Sequence, residues 1–208
     1  MIDPAATHPL LRELNDALAI EGAEPVDWIV CGGTALGIIG AVQRPTRDID
    51  VIGGWSSATL EIVQIDQFPP AVERAIARVA DAHPELQSFG ITNERPWVNL
   101  GAKGLLNFGL PSGCKDRLTP RTIGTHLTLR LPDRRDLIAF KLFAASDAAH
   151  GRQAVHKSDL RALSPNDEEL RFAIDWVITI PDPNHQLRAE LREFLQELGH
   201  EDLAYYIA

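Results

Sequence analysis

Residues 44–54 read RPTRDIDVIGG, and the reading of this stretch decides the fold. Its apolar residues and closing glycines predict a buried β-strand, yet that strand carries two aspartates one isoleucine apart. Successive strand side chains point to opposite faces, so Asp48, Asp50 and Ile52 share one face while Arg47, Ile49 and Val51 share the other. At a separation of about 5 Å and an effective dielectric near 20, the two carboxylates repel by roughly 3 kcal/mol. That is a sizeable fraction of a domain's net stability. A bound cation would offset it, and so would an edge strand open to water.

Upstream, DWIVCGG (27–33) reads as a short buried strand ending in two glycines, and TALGIIGAV (34–42) as a short apolar helix. The order is therefore strand, glycine turn, helix, strand. HPLLRELNDALA (8–19) places Leu10, Leu11, Leu14 and Leu18 at helical spacing with Thr7 as its cap, and PPAVERAIARVADAH (69–83) is an amphipathic helix. Residues 88–116, rich in Gly, Pro and Asn, read as irregular chain anchored to the core by Trp97 and Phe108. HLTLRLP (126–132) alternates as a half-buried strand, and Pro132 separates it from the helix DRRDLIAFKLFAASD (133–147). KSDLRALS (157–164) is a short helix or turn. Ser164, Pro165 and Asp167 resemble a capping box opening a helix over 166–180, and a last helix covers 184–199.

The expected fold class is α+β: a small mixed β-sheet carrying the glycine turn and the Asp-x-Asp strand, flanked by helices and followed by a helical C-terminal portion. The expected division is a core over residues 1–131 and a helical portion over 132–208 packed against it. The chain has 208 residues, 45% hydrophobic and 24% charged, enough to bury a substantial core. No apolar run approaches the roughly 20 residues of a membrane span, and the N-terminus lacks the pattern of a secretory signal. The cytoplasm is the expected location, with no membrane partner. A net charge of -9 argues against broad nonspecific binding to nucleic acid and leaves room for a local basic patch. Cys31 and Cys114 are expected as free thiols. The seven histidines, His150 and His156 among them, include no HxxxH pair and there is no CxxC, so zinc is not indicated.

Gly32 and Gly33 leave the backbone clear of side chains, so amides at the turn can approach a phosphate, and Thr34 adds a hydroxyl. Glycines at a tight turn need no ligand, however, so the pair alone is weak. Asp48 and Asp50 supply hard oxygens of the kind that hold Mg2+ against nucleotide phosphates. Lys141 sits among Leu137, Ile138, Phe140, Leu142 and Phe143, where a charge is costly unless paired; its partner is a phosphate or an acid, or its amine snorkels to water. Arg44 and Arg47 flank the aspartates and either neutralise phosphates or make surface ion pairs.

The run CGGTALGIIGAVQRPTRDIDVIG (31–53) resembles the polymerase-β-like nucleotidyltransferase superfamily, whose signature is a glycine turn opening a helix and then an Asp-x-Asp strand. With RPTRDID (44–50), DLIAFKLFAA (136–145) and KSDLRAL (157–163), the chain more closely resembles the bacterial abortive-infection-type nucleotidyltransferases, over about residues 28–163. The resemblance implies that Asp48 and Asp50 ligate Mg2+ (or Mn2+), that Gly32, Gly33 and Thr34 hold the triphosphate, and that Lys141 and Asp159 complete the site. It implies transfer of a nucleoside monophosphate from an NTP to a hydroxyl on RNA or protein, as in toxins paired with an antitoxin protein. A small-molecule acceptor, as in antibiotic-modifying relatives, and a non-catalytic binding module are the alternatives. Members of the superfamily commonly add a third carboxylate from a later strand. HLTLRLP contains none, and Glu61, Asp66, Glu94 and Asp116 lie in segments with no evident counterpart. Asp159 substitutes from a helix, two carboxylates suffice, or catalysis has been lost.

Overall fold

The computed structural model describes residues 4–46, 48–87, 96–147 and 151–207. Arg47, Glu94 and His150 lie outside the described residues. The chain divides into two compact units, one of residues 1–109 with 115–132 and one of 110–114 with 133–208. Among the described residues no helix is long and apolar enough to cross a membrane.

The first unit runs α1 (Pro4–Ile20), β1 (Val26–Cys31), α2 (Gly32–Ile38), β2 (Ile49–Ser56), β3 (Glu61–Val63), α3 (Pro70–Ala82), α4 (Pro84–Gln87), β4 (Val98–Asn99), β5 (Thr119–Thr122) and β6 (Leu127–Leu131). The strands form one mixed sheet in the order β3-β2-β1-β6-β5, with β4 also paired to β2. β1 is central, antiparallel to β2 and parallel to β6, and its Trp28, Ile29 and Val30 are buried. The expected α+β class with a small mixed sheet is therefore the observed one.

Strand alternation holds only in part. Ile29 pairs with Gly53 while Val30 pairs with Val51, so β2 carries one residue more than β1 across this step. Such a bulge bends its strand and re-aims the neighbouring side chains. Asp50 lies just N-terminal to the bulge, paired with Cys31 at the end of β1. β4 pairs with β2 on its other side, Ile49 against Val98 and Asp50 against Asn99.

α1 buries Leu10, Leu11, Leu14 and Leu18 and packs on α3, whose Val72, Ala75, Ile76 and Val79 form the matching stripe. Pro70 occupies the start of α3, where its missing N–H costs nothing. The segment expected to be irregular contains β4 and a short 3-10 turn over 103–108. Trp97 anchors it as expected, buried with its Nε1 donating to the Ile76 carbonyl at 3.0 Å. Phe108 does not: it is exposed at the end of its turn, whose buried residue is Leu105. β5 was hidden by Pro120, which removes a ladder donor; all four of its residues are exposed on an edge strand, where proline is tolerated.

The second unit is helical: α5 (Arg134–Ser146), α6 (Gln153–Leu163), α7 (Asp167–Val177), α8 (Gln186–Glu197) and α9 (Glu201–Tyr206). α5 packs against α6, α7 and α8 and is buried along most of its length. Asp133 caps it by accepting from the Arg135 N–H at 2.9 Å. Trp176 of α7 meets Phe140 and Phe143 edge-on, with ring centroids 5.6 and 5.9 Å away.

The capping box that opens α7 is built from Asn166 and Glu169, and the reading of Ser164 as its cap is corrected. A cap must be extended, as Asn166 is, whereas Ser164 closes α6 in the left-handed region at φ 46 and its hydroxyl donates to the Arg161 carbonyl. Glu169 also accepts from Arg134 Nε at 2.8 Å. Burial works to raise the Glu169 carboxyl, but the Arg134 guanidinium and the Asn166 N–H outweigh it and hold the group below the usual carboxylate range. A depressed folded value means that this stabilisation is full above the unfolded carboxylate's range, about pH 4, and is lost as pH falls through the folded value. Thermal melts from pH 7 down to pH 2 should therefore show Glu169→Gln least different from wild type at the acid end. A stability gap that does not narrow with acid would exclude the charge as the source.

Candidate functional site

β1 ends at Cys31 and the chain turns into α2 at Gly32, directly beside Asp50. Gly32 has φ +72, a backbone state that L side chains rarely adopt. A β-carbon there would also fall well inside van der Waals contact of Asp50 Oδ2. Two independent constraints thus select glycine at this position. Near the other carboxylate oxygen, a β-carbon on Gly101 would stand 3.7 Å from Asp50 Oδ1, an ordinary contact, but only 2.7 Å from Asn99 Oδ1. Asp50 lies between two residues that lack side chains, and it is only half-buried.

Asp48 sits just before β2, also half-buried. Its carbonyl accepts hydrogen bonds from Thr34 Oγ1 at 2.8 Å and from Thr46 Oγ1 at 3.3 Å. Both threonines are buried. The Thr34 hydroxyl proton is engaged in joining α2 to the start of β2, which fixes the backbone between the glycine turn and the aspartates. A β-carbon on Gly33 would meet Thr46 Oγ1 at 2.9 Å and Arg44 Nη2 at 3.3 Å, so the Arg44 guanidinium lies over the second glycine. Arg44 Nη1 donates to the Pro45 carbonyl at 3.1 Å. The structure thus gathers Gly32, Gly33, Thr34, Arg44, Asp48 and Asp50 in the first unit.

Lys141 and Asp159 come together in the second. Lys141 Nζ lies 2.8 Å from Asp159 Oδ2, with side-chain exposures of only 6% and 1%. His156 Nδ1 lies 3.4 Å from the same amine. The apolar setting of Lys141 on α5 is therefore matched by an acid on α6, and the amine does not snorkel to water. An ion pair this deep contributes little net stability over a hydrophobic pair, yet removing one partner strands a buried charge.

Three residues at the aspartate site were not legible in the sequence. Asn99 and Gly101 belong to a segment read as irregular, and β4 is too short for periodicity to mark it. Thr46 was read only as part of a strand. Among the described residues, no group of three or more His, Cys, Asp and Glu side chains is arranged to hold a metal ion. Of the other acids considered, Glu61 is ion-paired with Lys115 at 2.6 Å, Asp66 accepts from Gln64, and Asp116 is exposed.

The family described as nucleotidyltransferase of unknown function (DUF6036) matches residues 9–164. No curated protein and no solved structure matches the chain.

Gly40 has the same φ of +72 as Gly32 but open space where a β-carbon would go. Gly40→Ala should cost about 1–2 kcal/mol, the left-handed penalty alone. Gly32→Ala should cost more, and in an Asp50→Ala background the excess should vanish; denaturant unfolding of the four variants checks this. In the second unit, Lys141→Met should lose about 3–5 kcal/mol by stranding Asp159. Lys141→Met with Asp159→Leu should recover most of it. A single variant that melts like wild type would show that the pair is not a buried ion pair in solution.

Proposed function

The chain belongs to this family of nucleotidyltransferases of unknown function, and on that premise we propose that its glycine turn and aspartates form a metal-dependent nucleotidyl-transfer site. Asp48 and Asp50 would hold a divalent cation, Mg2+ or Mn2+, and the cation would neutralise charge developing on the phosphates. The observation that carries this reading is the fit at Gly32. The space a β-carbon would fill is left to the Asp50 carboxylate, so a hard anionic oxygen stands directly against the backbone of the turn.

The chain's own residues then have separable tasks. Gly32 and Gly33 let a triphosphate approach the turn, Arg44 over Gly33 offsets its charge, and Thr34 and Thr46 hold the Asp48 backbone in place. The acceptor hydroxyl oxygen attacks the α-phosphorus of the NTP. A new O–P bond forms, the bond to the bridging α–β oxygen breaks, pyrophosphate leaves, and the hydroxyl proton goes to solvent. Positioning and electrostatics supply the acceleration.

The acceptor we propose is RNA or protein, with the chain acting as the toxin of a toxin–antitoxin pair in the cytoplasm. The resemblance of RPTRDID, DLIAFKLFAA and KSDLRAL to the abortive-infection-type enzymes supports this acceptor over a small molecule. A second reading, a non-catalytic nucleotide-binding module, is favoured by one observation: the side chain that β4 sets beside Asp50 is the amide of Asn99 rather than an acid.

Incubation with each α-labelled NTP, Mg2+ and a cell extract distinguishes these readings. Label should pass to one macromolecular fraction, and Asp48→Asn with Asp50→Asn should lower the rate by ~100-fold or more, the scale of losing charged transition-state stabilisation. Label on a metabolite would select the small-molecule acceptor. Tight NTP binding with no transfer would select the binding module. Equal binding of Mg2+ with NTP by wild type and the double variant would remove the aspartates as a metal site.

A further inference from the structure

β4 contributes two residues to the sheet, and Asn99 is the one set opposite Asp50 in parallel register. Asn99 is 8% exposed, and its Oδ1 accepts from the Gly101 N–H at 2.7 Å. That bond settles which end of the amide is which: the oxygen turns toward residue 101, and the other end is an NH2 donor. A β-carbon on Gly101 would stand 2.7 Å from Asn99 Oδ1 and 3.7 Å from Asp50 Oδ1, so both side chains lie near the same stretch of backbone.

A carboxylate at this position could accept the same Gly101 bond and would add a negative charge at the strand position paired with Asp50. An amide offers one oxygen, uncharged and already accepting from Gly101, and a nitrogen that cannot ligate a cation. Two dications held about 4 Å apart need anionic oxygens that bridge them and offset their mutual repulsion. Among the described residues no third acid joins Asp48 and Asp50 in a group able to hold a metal, and the side chain paired with Asp50 is neutral. Resting on the reading of those aspartates as a cation site, we infer that Asn99 restricts the site to a single divalent cation.

Electron paramagnetic resonance during Mn2+ titration tests this, with the full chain and an α,β-imido nucleoside triphosphate of each base in turn. Wild type should saturate at a single Mn2+ per chain, counting the ion carried by the nucleotide, and show the six-line pattern of an isolated ion. Asn99→Asp should take up a second ion and give the exchange-coupled spectrum of a close Mn2+ pair. A coupled pair in wild type overturns the inference, and that result stands even if Asn99→Asp does not fold. A folded Asn99→Asp that still saturates at a single ion also overturns it. Wild type that takes up no more Mn2+ than nucleotide alone, or that behaves as Asp48→Asn with Asp50→Asn does, removes the cation site itself and this inference with it.

Discussion

The Asp50 carboxylate occupies the space that any side chain on residue 32 would need, and the first unit is arranged around that contact. Only a residue without a β-carbon admits it, and only such a residue takes the left-handed turn from β1 into α2 without strain. The sheet supplies the rest of the geometry. Pairing of Cys31 with Asp50 brings the turn and the acid to the same height, and the bulge one step further along β2 sets the angle at which the strand end leaves the sheet. The contact explains how a carboxylate two residues from another acid is held near backbone while only half-buried.

The backbone that carries Asp48 into β2 is fixed by two threonine hydroxyls. Thr34 reaches the Asp48 carbonyl from α2 and Thr46 from within the loop that joins α2 to β2, and both residues are buried. A hydrogen bond at such a site is costly to leave unmade, which ties the aspartates to the helix that follows the glycines. Thr34, the third residue of the turn motif, thus has a structural task of its own.

The helical unit solves a different electrostatic problem. Lys141 and Asp159 are both taken out of water and set 2.8 Å apart, with His156 at the same amine. Replacement by a hydrophobic pair of similar volume would often cost nothing. What the pair contributes is register: α5 and α6 meet with these two side chains facing one another or with a stranded charge. Around it, Phe140, Phe143 and Trp176 provide the apolar packing that stabilises α5 against α7.

Much of this was determined by sequence alone, because the relevant signals are local. The amphipathic stripes of α1 and α3, the glycine turn followed by an Asp-x-Asp strand, the mixed α+β class and the apolar setting of Lys141 each depend on residues a few positions apart, where backbone period and side-chain chemistry decide the outcome. Tertiary structure alone decided what stands next to Asp50. β4 is too short to have a period, β5 carries a proline that argues against a strand, and Ser164 matched a capping pattern that Asn166 satisfies. Asn99 and Gly101 reach the aspartates across roughly fifty residues of chain. No local propensity encodes that distance, because strand pairing is set by the burial of β2 between two neighbours and not by anything written in β4 itself.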